Sequence, residues 1–240
     1  MNEARPTPAK RHTVFAAAMA GLVLVFLSLG TWQVQRLVWK LDLIARVDAR
    51  VHADPVAAPM PDAWPAINQA SDEYRRVTVS GRFLNDKEAL VQAVTDRGPG
   101  FWVMTPLVTT EGATILVNRG YVPPARRAPS SRSEAQPSGT VQVTGLLRLS
   151  EPSGGFLRSN DPAGDKWYSR DIDAIAKSRQ LQNVAPYFID ADATANPGGF
   201  PVGGLTVVHF RNSHLVYALT WYALAAMSAF AVYFLLRRKA

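Results

Sequence analysis

Four histidines and no cysteine limit the chemistry open to this chain. Without cysteine it has no disulfide, no thiolate nucleophile, no Cys-ligated zinc, no iron–sulfur cluster and no covalently attached c-type haem. His12 precedes the first long apolar run, His52 follows it, and His209 falls in an alternating segment. His214 stands one residue before the second apolar run, and Tyr217 and Trp221 follow it at helical spacings of three and seven. A neutral imidazole beside flat aromatic rings at a bilayer rim has the chemistry of an axial ligand to haem iron. It equally has the character of an interfacial histidine in an aromatic belt. The five methionines are scattered, which disfavours a copper-chaperone role. The sequence contains no G-x-x-x-x-G-K-[ST], no G-x-S-x-G and no H-E-x-x-H, and no acid–base pair stands out among its carboxylates.

Two apolar runs must position these residues. Residues 14–30 read VFAAAMAGLVLVFLSLG and residues 215–236 read LVYALTWYALAAMSAFAVYFLL, both uncharged and near spanning length. The first run has no small-residue cleavage site after it, so we read it as an uncleaved anchor. Arg5, Lys10 and Arg11 precede it, and Arg237, Arg238 and Lys239 follow the second run. The positive-inside rule therefore places both termini in the cytoplasm. These tails explain most of the formal net charge of +7, since the remainder holds 20 basic and 18 acidic residues. The basic balance is thus a topology signal, and no nucleic-acid partner is expected.

The resulting organisation is a cytoplasmic tail over 1–12, a transmembrane helix over 13–32, an extracytoplasmic domain over 33–213, a second transmembrane helix over 214–236 and a tail over 237–240. The fold expected is two transmembrane α-helices flanking a β-rich (α+β), mostly antiparallel domain. Apolar positions from Val34 to Val51 continue the first helix to about Ala53 as a stalk. Pro55, Pro59, Pro61 and Pro65 make 54–70 an extended linker or edge. Period-two runs predict strands at 74–83, 89–94, 101–109, 113–118, 141–149, 186–190 and 205–210, with a hairpin at Glu111-Gly112. A helix is expected between Ser169 and Gln182. The Pro-, Ser- and Arg-rich stretch 123–139 reads as an exposed, mobile loop. Ala17-x-x-x-Gly21 on one span and Ala218, Ala225 and Ala229 on the other are small residues suited to helix–helix approach, or to lipid.

Several segments then resemble one family in order. Gly30-Thr31-Trp32-Gln33 with Arg36 and Lys40 is similar to G-x-W-Q-x-x-R-x-x-x-K. Val117-Asn118-Arg119-Gly120-Tyr121-Val122-Pro123 is similar to V-N-R-G-W-V-P, with Tyr for Trp. Trp167-Tyr168-x-Arg170-Asp171 and Pro197-Gly198-Gly199 follow, and Asn212-Ser213-His214-Leu215-x-Tyr217 with Thr220-Trp221-Tyr222 closes the set. The chain resembles the surfeit-locus family of cytochrome c oxidase assembly proteins in its bacterial form. The resemblance implies a non-enzymatic membrane factor that binds haem A and assists its insertion into subunit I of a haem–copper oxidase. It implies His214 as iron ligand, Tyr217 and Trp221 packing the ring, and partnership with subunit I, the haem A synthase and the bilayer of the bacterial inner membrane, the main domain being periplasmic. Arg119 would pair a haem propionate, or Asn118-Arg119-Gly120 is a structural turn. Two other readings stand beside this one: a scaffold that stabilises subunit I without touching haem, and a membrane-anchored periplasmic enzyme.

Overall fold

A computed structural model describes residues 8–155, 157–206, 208, 210 and 212–237, with side chains from residue 14. Arg5, His209, Arg238 and Lys239 lie outside the described residues. The chain divides into two compact units, residues 1–46 with 209–240, and residues 47–208.

The first unit is built from two helices, α1 (Pro8–His52, whose last six residues belong to the second unit) and α4 (His214–Arg237). Each is long and apolar enough to cross a membrane, with mean hydropathy 2.2 and 1.7. In hydrocarbon a helix satisfies its own backbone polar groups, so these uncharged stretches need no other element to complete their hydrogen bonding. The less exposed positions of α1 alternate in steps of three and four: Ala16, Met19, Val23, Phe26, Gly30, Gln33, Leu37, Lys40. On α4 the same rhythm runs through His214, Ala218, Trp221, Ala225 and Ser228. That is the seam expected of closely packed helices. Phe26 stacks on Trp221 at 5.7 Å between centroids, Thr31 meets the Tyr222 hydroxyl at 3.2 Å, and a Cβ on Gly30 would lie 2.7 Å from the Tyr222 ring. Later residues of α1 meet earlier residues of α4, so the helices run antiparallel. Ala218 and Ala225 lie buried in this seam as small residues should. Ala17, Gly21 and Ala229 do not: they are exposed, and nothing lies near Gly21.

The second unit is a small mixed β-barrel. Its strands are β1 (Val56–Ala57), β2 (Arg76–Phe83), β3 (Ala89–Thr95), β4 (Gly98–Thr109), β5 (Thr114–Val122), β6 (Thr140–Leu149) and β7 (Val184–Ala191). The order is β1-β2-β6-β7-β5-β4-β3, and a further antiparallel pairing of β2 with β4 closes five strands on themselves. Among the described strand pairs, β1–β2 and β5–β7 are parallel and the others antiparallel. The expected hairpin is present between β4 and β5. Strand β5 is buried on both faces along its whole length, its polar Asn118 and Arg119 included. Ile115 and Val117 join Val77, Leu107, Leu147 and Ile189 in one core, while Leu116 on the alternate face joins Met104, Phe188, Trp167 and Ile175 in a second. Helix α3 (Ile172–Ser178), capped by the Asp171 carboxylate accepting from the Ala174 amide, covers that second core.

The structure refines three expectations. Residues 54–70 supply an edge strand, β1, but are not extended throughout: they also hold a 3-10 turn over Pro61–Ala66 and lead into helix α2 (Gln69–Asp72), and Tyr187 donates to the Pro59 carbonyl at 2.7 Å, drawing the segment onto the barrel. Of 205–210, the described Leu205, Thr206, Val208 and Phe210 lie in no strand, the Thr206 hydroxyl being turned to Asp190, and Val207 and His209 lie outside the described residues. The stretch 123–139 is largely exposed, as expected, but it is not irregular: it folds into two 3-10 turns and buries Ala135 and Arg132, the latter ion-paired with Glu88.

Gly120, at the end of β5, has φ +125°, and any Cβ there would collide with the Val202 carbonyl, which accepts from the Tyr121 amide. Gly120→Ala is expected to cost at least about 1–3 kcal/mol from the backbone conformation alone. A thermal melt of the detergent-solubilised chain checks this, and an unchanged midpoint would refute it.

Candidate functional site

In the helical unit, the start of α4 sets the geometry of His214. Its backbone amide donates to Asn212 Oδ1 at 3.3 Å, an N-terminal cap, and its ring Nδ1 lies 2.7 Å from Gln33 Oε1 of α1. Nε2 has no hydrogen-bond partner among the described residues. His214 and Trp221 are both partly buried, one face of Trp221 being taken by Phe26. Tyr217 is 54% exposed. The expected trio is therefore divided: His214 and Trp221 face the partner helix, and Tyr217 faces outward. No cluster of three metal-ligating side chains occurs among the described residues. Any metal held here would have His214 as a lone protein ligand, with the remaining positions left to the metal's own macrocycle.

Beyond Gln33, two cations of α1 have aromatic partners in the same unit and no ion pair among the described residues. Arg36 lies over Trp39, and Lys40 over Phe210, each at 4.7 Å. Sequence reading missed the role of Gln33, because no spacing rule links residues 181 apart.

Arg119 belongs to the barrel unit and is 3% exposed. Its Nη2 donates to the Ala135 carbonyl and, at 3.1 Å, to Asn196 Oδ1; the guanidinium stacks over Phe83 at 4.7 Å; Nη1 has no partner among the described residues. It borders a cavity of 430 Å³ with Phe83, Val143 and Asn196. Burial, and then the nearby Arg132 charge, push the guanidinium down to about 10, so it remains protonated at neutral pH.

On the other face of β5, Asn118 donates to Asp190 Oδ1 at 2.7 Å and accepts from the Gly120 amide. Asp190 also receives Arg148 and Arg170, each at 3.0 Å, and the Thr206 hydroxyl. Glu73 binds Arg148 and Glu151 binds Arg170. Burial alone would lower both guanidiniums; Asp190 and the glutamates outweigh it and hold them above the ordinary arginine value. The motif residues Asn118 and Arg170 thus meet at one carboxylate, far apart though they are in sequence. Asp190 is 2% exposed, and Asp190→Ala leaves two part-buried guanidiniums facing each other. A loss of roughly 3–5 kcal/mol is expected, as for other broken buried pairs. Chemical denaturation measures it, and a loss under about 1 kcal/mol would show the pairs to be dispensable.

With this geometry in place, the sequence can be set against known proteins. The sequence model described as the SURF1 family matches residues 20–226. Surfeit locus protein 1 of Rattus norvegicus is 40% identical, over 84% of this chain and 69% of the rat protein. The Homo sapiens protein of that name is 37% identical, over 95% of this chain and 79% of its own length. A SURF1-like protein of Monosiga brevicollis is 38% identical, over 92% and 87%.

Proposed function

The chain belongs to the SURF1 family, known as cytochrome oxidase assembly factors rather than enzymes, and we propose that it binds haem A as cargo and assists its insertion into subunit I of a haem–copper oxidase. One observation carries the haem part: an imidazole at the head of a membrane-length helix has a ring nitrogen without a partner among the described residues. The surroundings fit the cargo. Tyr217 is an exposed aromatic face, and the Phe26–Trp221 stack lies two turns along. A flat macrocycle with a long apolar tail is retained at such a rim by ordinary hydrophobic burial. His214 holds the iron, the exposed Tyr217 packs the ring, Trp221 backs the site through its stack on Phe26, and a lone protein ligand permits release to the oxidase. Arg119, in the barrel unit, is a protonated guanidinium whose Nη1 has no partner among the described residues, a group suited to a carboxylate such as the propionate the resemblance implies, and such charge-assisted contacts are strong. The partners are subunit I and the haem A synthase. The protein spans the bacterial inner membrane twice, both termini inside and the barrel in the periplasm, as the basic tails favour.

His214→Ala is expected to abolish co-purified haem A while leaving insertion intact, and Arg119→Met to weaken retention several-fold. Absorption spectra of protein made alongside haem A synthesis measure both. Full occupancy with an unshifted Soret band in His214→Ala would remove the ligand assignment. If no haem ever accompanies the wild-type chain, the scaffold reading replaces this one. For topology, alkaline phosphatase fused near residue 130 is expected to be active and at the C-terminus inactive; the reverse pattern would overturn the orientation.

A further inference from the structure

We infer that Gln33 is the positioning residue for His214, holding its imidazole in the tautomer that keeps the Nε2 lone pair outward for a metal. This rests on the reading of His214 as an iron ligand and adds the residue that prepares it.

A neutral imidazole carries a single ring proton. The amide oxygen of Gln33 has lone pairs and no proton, so a 2.7 Å approach to Nδ1 places that proton on Nδ1. Nε2 is then the nitrogen with a free lone pair, and it has no partner among the described residues. Ligating histidines are commonly prepared in this way, the second nitrogen donating to an oxygen that fixes both ring orientation and basicity. Gln33 is itself well placed to act as that oxygen. It lies on the seam of α1, one turn beyond Gly30, where the Tyr222 ring sits close, and two turns beyond Phe26, stacked on Trp221. The helix positions on both sides of the bond are thus fixed by packing. The His214 backbone is fixed by its Asn212 cap. Both ends of the imidazole's attachment are set, which leaves little rotation for the ring.

A plain register lock between helices would need only some hydrogen bond, in either tautomer. The tautomer therefore separates the two roles. The test is 15N NMR of the histidine-labelled full chain in detergent, at about pH 9, where an ordinary histidine is neutral, with haem A retention and Soret position read in parallel. Wild-type His214 is expected to show a protonated Nδ1 and a bare Nε2. Gln33→Leu should move it toward the Nε2–H form that free histidine favours, with haem A binding about 10–100-fold weaker and a shifted Soret band. Gln33→Glu keeps an acceptor oxygen in place and should restore both readouts. A wild-type spectrum with the proton on Nε2 overturns the inference, even were Gln33→Leu to fail to insert. So does Gln33→Leu with an unchanged tautomer and Soret band. Haem retained in His214→Ala would instead defeat the ligand reading and leave the tautomer result standing.

Discussion

Asp190 is the charge on which the barrel's wall depends. A carboxylate 2% exposed is costly unless its oxygens are met, and here they are met by Arg148, Arg170, Asn118 and Thr206. Those groups come from β6, from the segment before α3, from β5 and from the stretch after β7. The backbone ladder already sets β5 and β6 beside β7; Asp190 adds the segment before α3 and the stretch after β7, which the ladder leaves out. The arrangement stabilises little compared with an apolar core of the same shape, since desolvation offsets most of the attraction. Its effect lies in selectivity. A slip of β6 or β7 by one residue would turn Arg148 or Asp190 to the opposite face and strand a charge in the core.

The same strand shows how a sequence motif becomes geometry. Asn118, Arg119 and Gly120 point in turn to one face, to the other face and to nothing. Asn118 reaches Asp190, and Arg119 reaches Ala135 and Asn196. Gly120 admits the Val202 backbone, with its amide held by Asn118. The buried guanidinium of Arg119 is the costly member, lowered by burial and lacking a carboxylate partner. Cost of that kind persists at sites that bind something more often than in ordinary walls.

Period and punctuation made the parts legible. The two apolar runs, the stalk to His52 and six of the strand positions follow from local alternation, and α3 from its flanking charges. Closure of the barrel was not legible, because the pairing of Gly81–Phe83 with Leu107–Thr109 has no local signature. Alternation at Leu205–Phe210 suggested a strand, and none is present among its described residues. Proline and arginine at 123–139 suggested solvent, and most of that stretch is exposed, yet Arg132 turns inward to a buried pair with Glu88. At the site, spacing along one helix singled out His214, Tyr217 and Trp221. It could not say which face the partner helix covers, and so it placed Tyr217 and Trp221 in equivalent roles that packing separates.

What remains is why Gln33 and His214 pair across a largely apolar seam. A lone polar pair between packed helices fixes their register at some expense in stability, as a single buried asparagine does in a coiled coil. Deep in hydrocarbon the expense of leaving either group unpaired would be large, which keeps such pairs together. Gln33 and His214 stand at the end of the apolar runs instead, where α4 begins and α1 turns amphipathic. There the unpaired state costs less, so register alone is weakly served by this position. Phe26 on Trp221 and Tyr222 over Gly30 already fix register within the apolar part. A hydrogen bond that adds little to register, yet orients the imidazole of His214, is better accounted for by what it does to that imidazole.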